Sequence, residues 1–181
     1  MKPQLQFEVD EDSAAWSTDG LPLSSVQSPF LANDHAALEA ALGRDNYAAI
    51  MYRAGYKSAR YWCEKDAKSL GLSGMAVFEH YLEHLSHGAW GRFSLVKVDP
   101  VAVDAEIRLD HSPFVLAQGE TCAAKHCHMF SGWFAGAMDW VRENADEASV
   151  AKAPSVCVKT QCGAEGHSHC IFAVRAKPPV A

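Results

Sequence analysis

Residues 155–176, which read SVCVKTQCGAEGHSHCIFAVRA, carry the clearest structural signal in the chain. The segments 155–161 and 168–176 alternate apolar and polar side chains and are rich in β-branched residues. Between them lies the turn-forming sequence GAEG at 163–166. Two alternating segments on either side of a short glycine-containing turn are typical of a β-hairpin. The pattern therefore predicts that the C-terminal part of the chain is an antiparallel hairpin.

Three cysteines can meet at this hairpin. Cys162 and Cys170 stand on either side of the turn, so their sulfur atoms can converge across its mouth, and Cys127 comes from the preceding helical segment. Three thiolates would supply most of a tetrahedral zinc site and would tie two strands to a helix. A structural zinc of this kind can contribute about 10 kcal/mol of folding free energy. The alternative is a cluster of reduced cysteines buried in the core.

Upstream of the hairpin the chain mixes helical and strand patterns. Apolar and aromatic residues recur at three- and four-residue steps over 44–70, which predicts a long amphipathic helix. Residues 92–98 and 103–109 alternate apolar and polar positions and predict two strands. Three further helices are predicted, over 35–43, 73–87 and 120–144. This order predicts an α+β domain in which an antiparallel sheet packs against long helices, with a cysteine metal site on its C-terminal hairpin.

The length of 181 residues fits one domain. Residues 1–32 contain two polar turn signals, with Pro22 and Pro29, and we expect them to form an N-terminal arm with one strand over 5–9. Asn33 or Asp34 is predicted to cap the first helix. Residues 33–181 are predicted to form a single domain.

The charge and hydropathy of the chain exclude several partners. A net charge of -6 and a pI near 5.8 provide no basic surface for nucleic acid or for an anionic membrane. The N-terminus has no apolar segment like that of a secretion signal, and no later window is apolar over the length of a membrane helix. We therefore expect a cytoplasmic protein. In the reducing cytosol, metal binding or core packing explains the six cysteines better than disulfides do.

The motifs around the cysteines resemble those of a known family. A helix opens with Cys-x4-Gly-x3-Gly, at Cys127, Gly132 and Gly136, and the later Cys162-x7-Cys170 runs into alternating apolar residues. Together with the glycine-containing helix MYRAGYKSARYW at 51–62, these motifs resemble the 4-vinyl-reductase domain family over roughly residues 45–176. That family includes the sensor domains of phenol- and xylene-responsive transcription activators.

The resemblance implies a zinc held by three cysteines and a glutamate. The cysteines fall on Cys127, Cys162 and Cys170, but the glutamate position is Lys159, and an ammonium group is not a metal ligand. Cys157 is the first substitute, because it lies two residues earlier on the same predicted strand and should project to the same face. Other cysteines and histidines are close enough in sequence to compete, namely Cys122, His126, His128, His167 and His169.

The resemblance also implies an apolar pocket for a small organic ligand between the helices and the sheet. Aromatic side chains that fit such a pocket are abundant, and a stripe of imidazoles at His80, His84 and His87 follows one face of the second long helix. That stripe can line the pocket, bind a second metal or face solvent. The candidate ligand-binding residues are His80, His84, Trp90, Phe130, Trp133 and Phe134.

Two classes of function compete. The first is a binding or sensing domain for an aromatic or apolar molecule, with a structural zinc and, by analogy with the sensors, a homodimer. The second is an enzyme or enzyme accessory of the same family, either a zinc-dependent hydrolase of a small heterocyclic acid or a vinyl reductase accessory. The chain has no dinucleotide-binding, P-loop or nucleophile-elbow motif, which favours binding. Since it ends at Ala181, without the ATPase and DNA-binding domains of the sensors, we expect a stand-alone domain that acts through another protein or serves a pathway directly.

Overall fold

The structure is a computed structural model, and it describes residues 7–18, 20–99, 102, 104–118, 127–144 and 153–177. Its strands are β1 (Glu8–Val9), β2 (Trp16–Thr18), β3 (Leu21–Leu23), β4 (Arg92–Asp99), β5 (Asp104–Asp110), β6 (Ser155–Gln161) and β7 (Cys170–Ala176). Its helices are α1 (Ser28–Leu42), α2 (Arg44–Leu70), α3 (Met75–His87), α4 (Pro113–Gln118) and α5 (His128–Glu143). The predicted α+β class, with an antiparallel sheet against long helices, is confirmed.

The main sheet has four antiparallel strands in the order β4, β5, β7, β6. The predicted C-terminal hairpin is confirmed, because β6 pairs with β7 and a 3-10 turn at Gly163–Glu165 joins them. Strand β7 also pairs with β5 on its other side, with Cys170 opposite Leu109. The hairpin is therefore an integral half of the sheet, and its cysteines lie at the end where the turn emerges.

A β-bulge interrupts β6 just before this turn. Lys159 is opposite Phe172 and Gln161 is opposite Ile171, so Thr160 is the extra residue. An extra residue reverses the alternation of side chains between the two faces of a sheet. Lys159 and Cys162, three residues apart, are consequently both buried.

Helices α2 and α5 pack with their backbones in direct contact. A Cβ added to Gly132 would overlap the backbone oxygen of Tyr52, and one added to Gly55 would overlap the backbone oxygen of Met129. Only glycine permits such an approach. This close contact positions the start of α5 beside the sheet.

The first helix begins earlier than the sequence predicted. The prediction of a start at His35, capped by Asn33 or Asp34, is wrong, because α1 starts at Ser28 with Gln27 at the N-cap position and a proline in its first turn. A proline is tolerated there, since the first-turn amides have no partner within the helix.

Other boundaries differ by less, and three elements, β2, β3 and α4, were not predicted. Helix α3 begins at Met75, after the positive φ of Gly74, rather than at 73. Helix α5 begins at His128; the predicted start at Glu120 falls outside the described residues. The strands of the arm pair in the order β1, β2, β3 as a separate sheet, and α4 follows β5. Among the described residues, no helix has the length and apolar character needed to cross a membrane.

Candidate functional site

The structure brings the three predicted cysteine ligands together. Cys127 occupies the N-cap position of α5, Cys162 follows β6, and Cys170 is the first residue of β7. At most 1% of any of these three side chains is exposed. The Cys170 thiol is within hydrogen-bonding reach of both other sulfur atoms, and Ser112 Oγ lies 3.5 Å from Cys127 Sγ. A helix start and both sides of the hairpin thus meet in a cluster of sulfur atoms.

Lys159 projects into this cluster from β6. Its Nζ atom donates a hydrogen bond to Cys162 Sγ at 2.8 Å and is also within hydrogen-bonding reach of Cys127. The ammonium lies 5.4 Å from the centre of the Phe172 ring, its cross-strand neighbour, and only 7% of the side chain is exposed. This buried lysine, in contact with two cysteine sulfurs, stands at the position where the sequence resemblance implied a glutamate ligand.

The pKa values in the cluster describe one thiolate and one ammonium. The hydrogen bond from Cys170 lowers the pKa of Cys127 to about 6, with help from the Lys159 charge. Burial lowers the pKa of Lys159, but the charges of Cys127 and Cys170 oppose it and leave the pKa above its ordinary value. The pKa of Cys162 is raised, first by its hydrogen bond to Cys170 and then by burial. Both pKa shifts favour a negative charge on Cys127 close to a positive charge on Lys159.

The predicted substitutes for the fourth ligand make other contacts. Cys157 is buried on the same face as Lys159, as predicted from their spacing, but its thiol contacts Ser131, and burial raises its pKa to about 12. His128 packs edge-on against the Tyr47 ring. The side chain of His169 is bonded to Ser168 Oγ at 2.8 Å.

The remaining competitors do not complete a metal site among the residues that the structure describes. His167 is exposed, and Cys122 and His126 lie outside the described residues. In the described part of the chain, no group of three or more histidine, cysteine, aspartate or glutamate side chains is arranged to hold a metal ion. A donor set of three sulfurs with an ammonium among them does not fit a tetrahedral zinc, which needs a fourth electron-pair donor. The zinc site itself stays a prediction.

A groove of about 430 Å³ runs beside the cluster, between α2, the start of α5 and β6. Cys127, Lys159 and His128 border it, and Tyr52 forms part of its far wall. Burial raises the pKa of Tyr52 to about 12, so its hydroxyl is neutral at physiological pH. The groove connects the cluster to the surface of the protein.

Four of the six predicted ligand-binding residues meet in one aromatic cluster. Trp90 packs against Trp133 at 5.0 Å between ring centres and against Phe130 at 6.2 Å, both edge-on. Phe134 joins this group through Phe93, which contacts both Phe130 and Phe134. Among these four predicted residues Trp90 is the most exposed, so it is the point at which the aromatic core reaches the surface.

A second groove, of about 400 Å³, opens above Trp90. The N-terminal arm and α1 form one side, and the end of α3 forms the other. Its apolar lining consists of Phe7, Trp16, Leu23, Val26, Leu31, Ala89, Trp90 and Pro113, and its polar lining of Ser24, Ser25, Ser28 and His87. The sequence prediction missed the contribution of the arm. A signal was available in the sequence: the short strands of the arm carry apolar residues but are too small to form a core of their own. Such residues must pack against another part of the chain.

The other two predicted ligand-binding residues, His80 and His84, pack against Trp62 between α2 and α3. The His80 ring stacks on Trp62 at 5.7 Å, and its Nε2 atom lies 3.1 Å from Oδ2 of the buried Asp66. The His84 ring is 4.9 Å from the same indole. Trp62 Nε1 is buried and has no hydrogen-bond partner among the described residues. His80 and His84 thus form a second polar cluster around Trp62, whereas His87, the third histidine of the stripe, lines the groove above Trp90.

Comparisons with known proteins agree with this fold. A family model described as "Domain of unknown function (DUF5943)" matches residues 1–96. A comparison with curated proteins found no match. Among solved structures, the chain is similar to the phenol-responsive sensory domain of the transcription activator PoxR with phenol, with a TM-score of 0.78 and 16% identity, over 94% of this chain and 84% of that one.

Two further solved structures have the same general fold at lower similarity. One is a trafficking protein particle complex subunit 3 from Naegleria fowleri, covalently bound to palmitic acid, with a TM-score of 0.55 and 16% identity, over 85% of this chain and 97% of that one. The other is a vinyl-4-reductase family protein from Methanocaldococcus jannaschii, with a TM-score of 0.53 and 12% identity, over 86% of this chain and 85% of that one. At these identities the likeness shows the fold alone.

Proposed function

The chain belongs to the family described as a domain of unknown function (DUF5943), and we propose that it binds a small aromatic or apolar organic molecule and acts as a sensing domain. The groove above Trp90 carries this proposal. Its volume of about 400 Å³ is within the range of small-molecule sites. The similar phenol-responsive domain gives the class of ligand to test first.

The lining of this groove suits an aromatic ligand with one polar group. Trp16 and Trp90 offer flat apolar surfaces on which a ring can stack, and Trp90 is itself supported by Trp133 and Phe130. His87, Ser24 and Ser25 stand at the same groove and can exchange hydrogen bonds with a hydroxyl. An apolar wall with a few polar groups is the usual composition of a specific small-molecule site.

Ligand titration tests the proposal directly. Phenol, methylphenols and an aliphatic alcohol of equal size would be titrated while tryptophan fluorescence is followed, since two indoles line the groove. We expect the aromatic compounds to bind more tightly, and Trp90→Leu to weaken their binding about tenfold through loss of the stacking surface. Tyr61→Leu is the matched control, because Tyr61 is an exposed aromatic residue on α2, outside the groove. Equal binding by wild type and Trp90→Leu would refute this site.

An enzyme or enzyme accessory is the second candidate. It is supported by the likeness to a vinyl-4-reductase family protein and by the groove that Cys127, His128 and Lys159 border. A zinc-dependent hydrolase would release product from thiazoline carboxylates in an assay that depends on added metal. Product formation that is lost in Cys127→Ser would overturn the sensing proposal. By analogy with the sensors we also propose a homodimer, which sedimentation analysis would test.

A further inference from the structure

The Lys159 side chain suggests how the cysteine cluster can hold the fold together without a metal ion. We propose that the ammonium of Lys159 takes the place of the metal ion, so that β6, β7 and the start of α5 are held together by hydrogen bonds between one lysine and the cysteine sulfurs. This inference goes beyond the proposed ligand-binding function and does not depend on it.

The ammonium of Lys159 reaches the space in which a metal ion would bind. Nζ lies 2.8 Å from Cys162 Sγ and within hydrogen-bonding reach of Cys127, while the Cys170 thiol joins those two sulfurs. A zinc bound to the same sulfurs would lie about 2.3 Å from each of them, in the space that the ammonium reaches. Two cations that compete for one set of sulfurs repel each other at short range. The geometry therefore favours one cation, and the chain supplies it.

The Lys159 ammonium can donate hydrogen bonds to the sulfurs, but it cannot act as a metal ligand. An ammonium has three N–H donors and no lone pair, so it can bond to several sulfur atoms but cannot complete the coordination of a metal. Cys157, the nearest sequence substitute, is bonded to Ser131 instead. Lys159 is thus a hub for hydrogen bonds at the position where a zinc site requires a fourth ligand.

The backbone of β6 and a neighbouring aromatic ring hold this lysine in place. The bulge at Thr160 turns Lys159 and Cys162 to the same side of the sheet, and the Phe172 ring lies 5.4 Å from the ammonium. A buried ammonium is costly unless a negative charge faces it. Sulfur acceptors face it here: Cys162 Sγ lies 2.8 Å from Nζ, and Cys127 is within hydrogen-bonding reach. The cluster thus already holds a cation among its sulfur atoms.

Metal analysis of the full chain purified from zinc-supplemented cells tests the proposal. We expect wild type to contain no stoichiometric zinc by native mass spectrometry, and its melting temperature to be unchanged by EDTA. Zinc at one per chain in wild type, lost in Cys162→Ala, would overturn the proposal whatever the other variants do. A melting temperature that falls on chelation would also overturn it.

A charge reversal at the same position provides the positive test. Lys159→Glu replaces the ammonium by a carboxylate, which is a zinc ligand, and completes a set of three sulfurs and one oxygen. We expect this variant to bind one zinc per chain and to become sensitive to EDTA. Lys177→Glu is the matched control, because Lys177 is exposed at the far end of the hairpin, and it should remain free of zinc. A folded Lys159→Glu that takes up no zinc would contradict the proposed placement of the ammonium.

Discussion

Lys159 and Cys162 lie on the same side of the sheet, with Nζ 2.8 Å from Sγ, although residues three apart on a regular strand point to opposite faces. The bulge at Thr160 is the cause, because it adds one residue to β6 and restores the inward direction for Cys162. The contact between a lysine and a thiol is therefore a property of the backbone register. It does not depend on the flexibility of the lysine side chain alone.

Loss of the ammonium should destabilise the fold. Lys159→Met keeps much of the length and apolar stem of the side chain but removes the charge-assisted hydrogen bonds to Cys162 and Cys127. We expect the free energy of unfolding to fall by about 2 kcal/mol. Urea denaturation would measure the change, with Lys177→Met as the control at an exposed position. An unchanged midpoint for Lys159→Met would show that the contact contributes nothing.

Stability should rise with pH across the range in which Cys127 titrates. An ordinary cysteine has a pKa of 9.0, and in the folded state the pKa of Cys127 is lowered to about 6, chiefly by the hydrogen bond from Cys170. Between these values the unfolded chain binds more protons, so the free energy of unfolding increases with pH by at most about 1.4 kcal/mol per pH unit. This contribution is complete above pH 9 and is lost as the pH falls through 6.

Urea denaturation at steps from pH 6 to 9 would measure this slope. Cys127→Ser should remove it, because serine does not titrate in the range. Cys63→Ser is the control: Cys63 is a buried thiol on α2 whose pKa burial raises, so its own titration lies above the window. A wild-type profile that is flat or that falls with pH would show that the thiolate does not form at Cys127.

Much of the fold could be predicted from local sequence. The bounds predicted for α2 agree with Arg44–Leu70 because glycines with positive φ, Gly43 and Gly71, stand at both ends and stop helices on either side. Strands β4 to β7 follow from alternation, which is strong where one face of a sheet packs on a core. These signals lie within a few residues of the element that they specify.

The features that build the candidate sites depend on longer-range packing. The bulge at Thr160 has no distinctive residue, since threonine is ordinary in strands, and it is fixed by pairing with Ile171 and Phe172. The arm contributes Phe7 and Trp16 to the groove above Trp90, a contact across more than seventy residues of sequence. Neither the bulge nor the contact between the arm and the groove produces a repeating pattern of residues in the nearby sequence. The sequence could therefore identify the types of residue but not their partners.

The close approach of α2 and α5 should depend on Gly132. A Cβ at this position would overlap the backbone oxygen of Tyr52, and a backbone atom cannot move aside as a flexible side chain can. We expect Gly132→Ala to cost about 3 kcal/mol or to shift α5 along with the cluster at its start. Gly71→Ala is the control: its Cβ would meet nothing within 4 Å, so only the strain of a left-handed residue with a φ of 66° remains, about 1 kcal/mol. Equal losses in the two variants, measured by urea denaturation, would contradict the tight packing.

The two aromatic regions should separate binding from stability. His80→Ala removes the imidazole whose Nε2 atom lies 3.1 Å from Oδ2 of the buried Asp66, so we expect the free energy of unfolding to fall by about 1 to 2 kcal/mol. Affinity for phenols should not change, because His80 does not line the groove above Trp90. Trp90→Leu should show the opposite pattern, a loss of affinity with a folded domain. Fluorescence titration and urea denaturation of both variants would measure affinity and stability separately.

If His80→Ala instead lost phenol binding while it remained folded, the ligand would lie beside Trp62, between α2 and α3, and the groove above Trp90 would not be the binding site.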